Sequence, residues 1–141
     1  MSYQSIFQAN LFKGQTFIVT GGGSGIGRCT AHELAALGAN VALVGRKAEK
    51  VEAVKAEILE DGGIASAHVC DIREEESVKA TVKAIIAEHG GLNGLVNNAG
   101  GQFPSPLASI NQKGWETVVR TNLTGGFLMA REAYTDRKSV V

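Results

Sequence analysis

Cysteine is scarce in this chain. Cys29 and Cys70 are the only two, and they show neither CxxC spacing nor a Cys/His pattern. That excludes a disulfide framework and a zinc-finger arrangement. It fits two reduced, partly buried thiols in a cytosolic protein. Net charge is missing as well, because fourteen basic and fourteen acidic residues cancel. No basic stripe points to nucleic acid, and no polybasic arm points to a membrane. No unbroken apolar run is long enough to span a bilayer. Residues 1–15 lack the charged start and apolar core of a signal peptide. A cytoplasmic location is therefore expected. His32, His68 and His89 are scattered along the sequence, so no metal set is expected. Repeats, linkers and low-complexity tracts are absent too. What remains is a soluble globular composition, 44% hydrophobic and 20% charged, over 141 residues, enough for one domain.

Glycine, by contrast, is concentrated where chemistry can use it. Thr20-Gly21-Gly22-Gly23-Ser24-Gly25-Ile26-Gly27 follows the strand-like run Thr16-Phe17-Ile18-Val19. A helical pattern comes next, with Ile26, Thr30, Leu34 and Leu37 on one side and Gly38 as its stop. Strand, glycine turn, helix is the setting a phosphate-binding loop needs. Glycines let the backbone close tightly and let a pyrophosphate approach. The helix N-terminus supplies orphan N–H groups and a positive dipole end. No register fits G-x-G-x-x-G; the spacing is G-x-x-x-G-x-G, at Gly21, Gly25 and Gly27. A Walker A loop is excluded, since no Gly-Lys-Ser/Thr follows. A dinucleotide loop is expected.

Strand and helix then alternate. Residues 40–45 read as a second, buried strand. Residues 48–61 read as a helix with Val51, Val54 and Ile58 inward, stopped by Gly62-Gly63. A third strand covers residues 64–70. Glu74, Glu75 and Glu76 suit the positive end of the next helix, whose core face is Val78, Val82 and Ile85. A fourth strand covers residues 92–97. A loop rich in Gly, Pro and Ser runs to about residue 111, and a long helix then reaches about residue 134. The fold class implied is α/β, a Rossmann-type doubly wound parallel sheet of four strands with flanking helices. In such sheets ligands bind beyond the carboxyl ends of the strands.

Folds of this type that prefer NAD place an acid about 20 residues past the glycines, on the adenosine ribose. Here the second strand ends in Gly45, Arg46 and Lys47. A carboxylate would repel a 2′-phosphate, whereas these cations attract it. NADP(H) is favoured over NAD(H).

Four landmarks together resemble the short-chain dehydrogenase/reductase family: the loop Thr20–Gly27, Asp71 after the third strand, Asn97-Asn98-Ala99-Gly100, and Asn122 in Thr121-Asn122-Leu123-Thr124-Gly125. The resemblance covers about residues 11–134. It implies that Gly21, Ser24, Gly25, Ile26 and Gly27 meet the pyrophosphate. Asp71 and the Ile72 amide would meet the adenine, and Asn98, Ala99 and Gly100 would back the nicotinamide ribose. Asn97 would tie neighbouring strands. Asn122 would be the catalytic-set residue, holding a water through its backbone carbonyl. Gly100-Gly101-Gln102-Phe103, Ser105-Pro106 and Lys113-Gly114-Trp115 are similar to trans-2-enoyl-CoA reductases. The implied function is NADP(H)-dependent hydride transfer to or from an enoyl-CoA, carbonyl or alcohol, most specifically reduction of a trans-2-enoyl-CoA. The small-molecule substrate would then be an acyl-CoA, and the parent protein a homo-oligomer. The alternative is a nucleotide-binding module without turnover.

The family's Y-x-x-x-K acid has a decoy in Tyr134-Thr135-Asp136-Arg137-Lys138. It lies only twelve positions past Asn122 on one helix, about 18 Å along the axis at 1.5 Å per residue, with no intervening strand. Residues 136–141 do not continue the family pattern and back-translate to a sequence like a sequencing adapter. The expectation is an incomplete NAD(P)-binding domain over residues 1–135 with a non-native tail over 136–141. A peroxisomal address at a native C-terminus stays open. Poor solubility is expected of these residues alone, because the fourth strand and the helices over 48–61 and 115–134 would lack partners.

Overall fold

The computed structural model describes residues 3–137. Four parallel strands form one sheet in the order β3-β2-β1-β4. They are β1 (Thr16–Thr20), β2 (Asn40–Gly45), β3 (Ile64–Val69) and β4 (Gly94–Val96). Three helices cross between them: α1 (Gly25–Ala36), α2 (Ala48–Glu60) and α3 (Glu75–His89). A 3₁₀ turn at Leu107–Ser109 precedes α4 (Gln112–Val119), a π turn (Arg120–Thr124) and α5 (Gly125–Arg137). The expected doubly wound architecture is present.

Alternation along the strands sends successive side chains to opposite faces. Ile18 pairs in register with Ala42 and Leu95. Ile18, Ala42 and Val44 pack with Val78, Val82 and Ile85 of α3 and with Leu128 and Met129 of α5. On the other face Val19, Val41 and Leu43 meet Ala31 and Ala35 of α1 and Val51, Val54 and Ile58 of α2. The inward faces of α2 and α3 are those their periodicity predicts. The burial of α2 also corrects the expectation that its apolar face lacks a partner: the sheet covers it.

The inward face of α1 is the expected one only towards its end, where Leu37 is buried and Leu34 packs against the core. Gly27, Ala31 and Ala35 face the core, while Ile26 is 79% exposed. The helix starts directly off the end of β1, where only small side chains allow so close an approach. The long helix expected after residue 111 is interrupted by the π turn. The fourth strand is shorter than expected, holding three residues. Asp136 and Arg137 continue α5, so the expected tail is helical where it begins, and residues 138–141 of that tail lie outside the described residues. So does Lys138 of the decoy. Its Tyr134 sits exposed on α5. Cys70 is buried but Cys29 is exposed, so only one of the two thiols is sheltered. No helix among the described residues is long and apolar enough to cross a membrane.

Candidate cofactor site

A cleft of about 300 Å³ opens at the carboxyl ends of β1, β2, β3 and β4. It brings together Gly21, Ser24, Arg46, Lys47, Asp71, Ile72, Asn98, Ala99 and Gly100 from the expected set. Gly25, Ile26, Gly27 and Asn122 do not line it.

Thr20 organises the centre. Fully buried at the end of β1, it accepts hydrogen bonds at Oγ1 from the backbone N–H of Asn98 (3.0 Å) and of Ala99 (2.9 Å). The same hydroxyl donates to the Val96 carbonyl at 3.2 Å. One donor and two acceptor positions are thus all used. Asn98 Nδ2 returns a bond to the Thr20 carbonyl at 3.0 Å. Asn98, rather than Asn97, ties the neighbouring strand ends. Asn97 donates instead to the Gly126 carbonyl at 3.0 Å and links the strand end to α5.

This stitching explains two glycines. A Cβ on Gly21 would lie 2.8 Å from Asn98 Nδ2, and Gly21 has φ +68°. A Cβ on Gly27 would lie 2.3 Å from the Gly21 carbonyl oxygen and 2.5 Å from Asn98 Nδ2. Their first duty is to let the loop, α1 and the Asn98 segment close on one another. Gly25 is different, with φ +54° and nothing within 4 Å of where a Cβ would stand. Ser24 makes no side-chain cap on α1, and the first turn of α1 holds no acid. The first N–H groups of a helix have no intrahelical partners. Here they face an open, positively polarised position suited to an anion. That observation fits the pyrophosphate of a dinucleotide.

The far end of the cleft is cationic. Arg46 and Lys47 follow β2, with Lys47 at the N-cap of α2. Lys50 and Arg73 join them on the cleft wall, and Asp71 is the one carboxylate among the lining residues. Sequence reasoning missed Lys50 and Arg73. Lys50 lies in the first turn of α2, three residues past the N-cap Lys47. Arg73 is two residues past Asp71, a spacing that lets a guanidinium fold back on its own turn. Arg73 Nε and Nη2 clamp Asp71 at 2.9 and 2.6 Å, and the Arg73 amide adds a bond of 3.1 Å. These bonds hold the Asp71 carboxyl well below its ordinary value, at about 2.

Asn122 lies on the π turn, where the Gly125 N–H reaches back to the Arg120 carbonyl. Such turns often sit at functional sites. Its side chain is occupied: Nδ2 donates to Gly101 O (2.7 Å) and Val118 O (2.9 Å), and Oδ1 accepts from Gly101 N (3.2 Å). A Cβ on Gly100 would strike Asn122 Oδ1 at 2.5 Å, so Gly100 makes room for this clamp. The scattered histidines also need correcting, since His68 and His89 converge away from the cleft on Ser66.

The profile of the short chain dehydrogenase family matches residues 15–139. The 2,5-dichloro-2,5-cyclohexadiene-1,4-diol dehydrogenase of Sphingobium indicum is 47% identical over 116 residues, which are 82% of this chain and 45% of that protein. Among solved structures, the citronellol catabolism dehydrogenase (AtuB) of Pseudomonas aeruginosa PAO1 superposes with TM-score 0.90 at 70% identity. The match covers 94% of this chain and 54% of that one. A metagenomic short-chain oxidoreductase in complex with NADP superposes with TM-score 0.85 at 36% identity, covering 92% and 59%. An NAD+-bound xylitol dehydrogenase superposes with TM-score 0.89 at 32% identity, covering 92% and 50%. The chain spans about half the length of these relatives. Nicotinamide cofactors of both kinds thus occur on closely similar folds, and this chain belongs to the short-chain dehydrogenase family of oxidoreductases.

Proposed function

We propose that the chain binds NADP(H) and forms the cofactor-binding part of an oxidoreductase. One observation carries the choice of cofactor: Arg46, Lys47 and Lys50 line the cleft wall together with Arg73, whose charge is offset by Asp71, the one carboxylate among the described lining residues. A 2′-phosphate brings close to two negative charges, and this wall complements them. Asp71 spends part of its acceptor capacity on Arg73. A carboxylate has about four lone-pair sites, and Arg73 places two bonds on each oxygen, so an adenine amino group beside the Ile72 amide would share an oxygen with the shared Nε contact of Arg73. The α1 N-terminus with Ser24, Gly25 and Ile26 would take the pyrophosphate. Asn98, Ala99 and Gly100 would back the nicotinamide ribose. The cofactor supplies hydride chemistry, while these residues bind and orient it. The backbone carbonyl of Asn122 would hold a water for proton transfer, its side chain being committed to the Gly101 loop.

For the substrate, the likeness to a citronellol catabolism dehydrogenase supports an apolar, branched aliphatic alcohol or its carbonyl partner. The Gly100–Pro106 motif favours a second reading, reduction of a trans-2-enoyl-CoA. Both are small molecules handled by hydride transfer.

Coenzyme titration followed by nicotinamide fluorescence tests the cofactor assignment. NADPH should bind at least about tenfold tighter than NADH, equivalent to about 1.4 kcal/mol. Arg46→Asp should bring NADH level with NADPH or ahead of it. Equal affinities in the parent, or selectivity unmoved by Arg46→Asp, would overturn the assignment.

A further inference from the structure

His68 lies on β3, on the same face as Ser66 and Cys70 and turned toward α3. His89 and Glu88 close the last turn of α3. Ser66 Oγ, itself buried, stands 2.8 Å from His68 Nε2 and 2.7 Å from His89 Nε2. Glu88 Oε2 stands 3.5 Å from His68 Nε2. One ligand atom from each of His68, Glu88 and His89 lies within 4.8 Å of the others. We propose that these three residues form a binding site for a divalent transition metal of the zinc type, pinning the edge strand β3 to the end of α3.

The donor set is the first reason. Two imidazoles and a carboxylate suit borderline-soft cations and leave a fourth position for water. Geometry is the second. Ligands at 2.0–2.2 Å in a tetrahedron stand about 3.4 Å apart, and the His68–Glu88 pair is already at that separation. The remaining closure falls to exposed Glu88 and half-buried His89, while His68, 13% exposed, is the fixed point. The third reason is the field. The final carbonyls of α3 present the negative dipole end to a cation, and Gly90, with φ +82°, turns the chain away behind them. Lys55 and Glu52 of α2 lie within electrostatic reach of His68, but they pair with each other at 3.5 Å and their charges offset.

None of His68, Glu88, His89 and Ser66 lines the cleft, so the site shares no side chain with it. Its effect would be mechanical. Among the described residues β3 pairs only with β2, so a metal spanning residue 68 and residues 88–89 would hold a sheet edge. A ligand of the folded state stabilises by mass action.

The test is calorimetric titration of zinc chloride alone into the full chain, carried as a soluble fusion without an oligohistidine tag. One equivalent should bind with Kd on the order of 10 μM or tighter. His89→Gln and His68→Gln should each weaken binding at least about tenfold, and exposed Glu88→Gln should weaken it by a smaller factor. A second histidine group, His32 with Glu57 and Asp61, supplies the control. Glu57 there is already neutralised by Arg28 at 2.8 Å, so His32→Gln should bind zinc as the parent does. If His68→Gln misfolds, His89→Gln and Glu88→Gln decide on their own. Zinc should also raise the thermal midpoint of the parent and leave that of His89→Gln unmoved. Absence of a one-equivalent site, parent-like binding by His89→Gln, or loss of binding in His32→Gln would overturn the proposal.

Discussion

Asp71 shows how one residue carries both structural and binding duties. It sits just past β3, and Arg73 holds its carboxylate by a two-pronged clamp plus a backbone N–H. Its pKa falls from 3.8 to about 2, chiefly through the Arg73 side-chain bonds. A group whose folded pKa is depressed stabilises the fold above its unfolded pKa. That contribution is lost as pH falls through the folded value. The window is therefore between about pH 4 and pH 2. The pair is partly open to solvent, which limits its worth to on the order of 1 kcal/mol. Asp71→Asn should be less stable than the parent by about that amount at pH 6 in urea denaturation. The deficit should shrink below pH 4. A deficit that stays constant from pH 6 to pH 3 would show that charge on Asp71 is not its source.

At the level of elements, the π turn and the 98–111 loop work as one unit. Asn122 spans them with three bonds, two of them to the backbone of Gly101. Asn122→Ala removes all three and leaves Gly100 facing empty space. The expected cost is about 1–2 kcal/mol, given roughly 1 kcal/mol per net hydrogen bond and partial rescue by water. Limited proteolysis read by mass spectrometry should find faster cleavage within residues 101–106, with β1 and α1 unaffected. Cleavage at the parent's rate would sink this account of the clamp. The π turn itself was not legible in the sequence, because Arg120–Thr124 carries an ordinary helical composition. The small-residue face of α1 was misread for a related reason. Periodicity weights Ile26, which is exposed, but the buried residues of the helix are Gly27, Ala31 and Ala35. Where spacing is ordinary, as in α2 and α3, apolar periodicity named the buried residues correctly. Cation positions beyond Arg46 and Lys47 were not legible either, since Lys50 and Arg73 reach the cleft only through the turn geometry of their elements.

For the molecule as a whole, the sheet is well covered but one helical surface is not. Trp115, Leu123 and Phe127 are 65%, 69% and 57% exposed. They follow one another along α4, the π turn and α5, at helix-like spacing from Leu123 to Phe127. Among the described residues β4 pairs only with β1, so the molecule also presents an open strand edge. Contiguous apolar patches of this kind drive association, and a net charge of zero removes the repulsion that would oppose it. The 141-residue chain should therefore self-associate when expressed alone. Sedimentation velocity should show species larger than a monomer, growing with protein concentration from about 5 to 100 μM, a range in which weak contacts of about 6–7 kcal/mol become populated. Leu123→Glu with Phe127→Glu places charge in the middle of the patch without touching the buried Leu128 and Met129 beneath it. That double variant should shift the distribution toward monomer while the far-ultraviolet circular dichroism stays that of the parent. A parent chain that sediments as a monomer throughout and unfolds in one sharp transition would mean that this surface does not drive association.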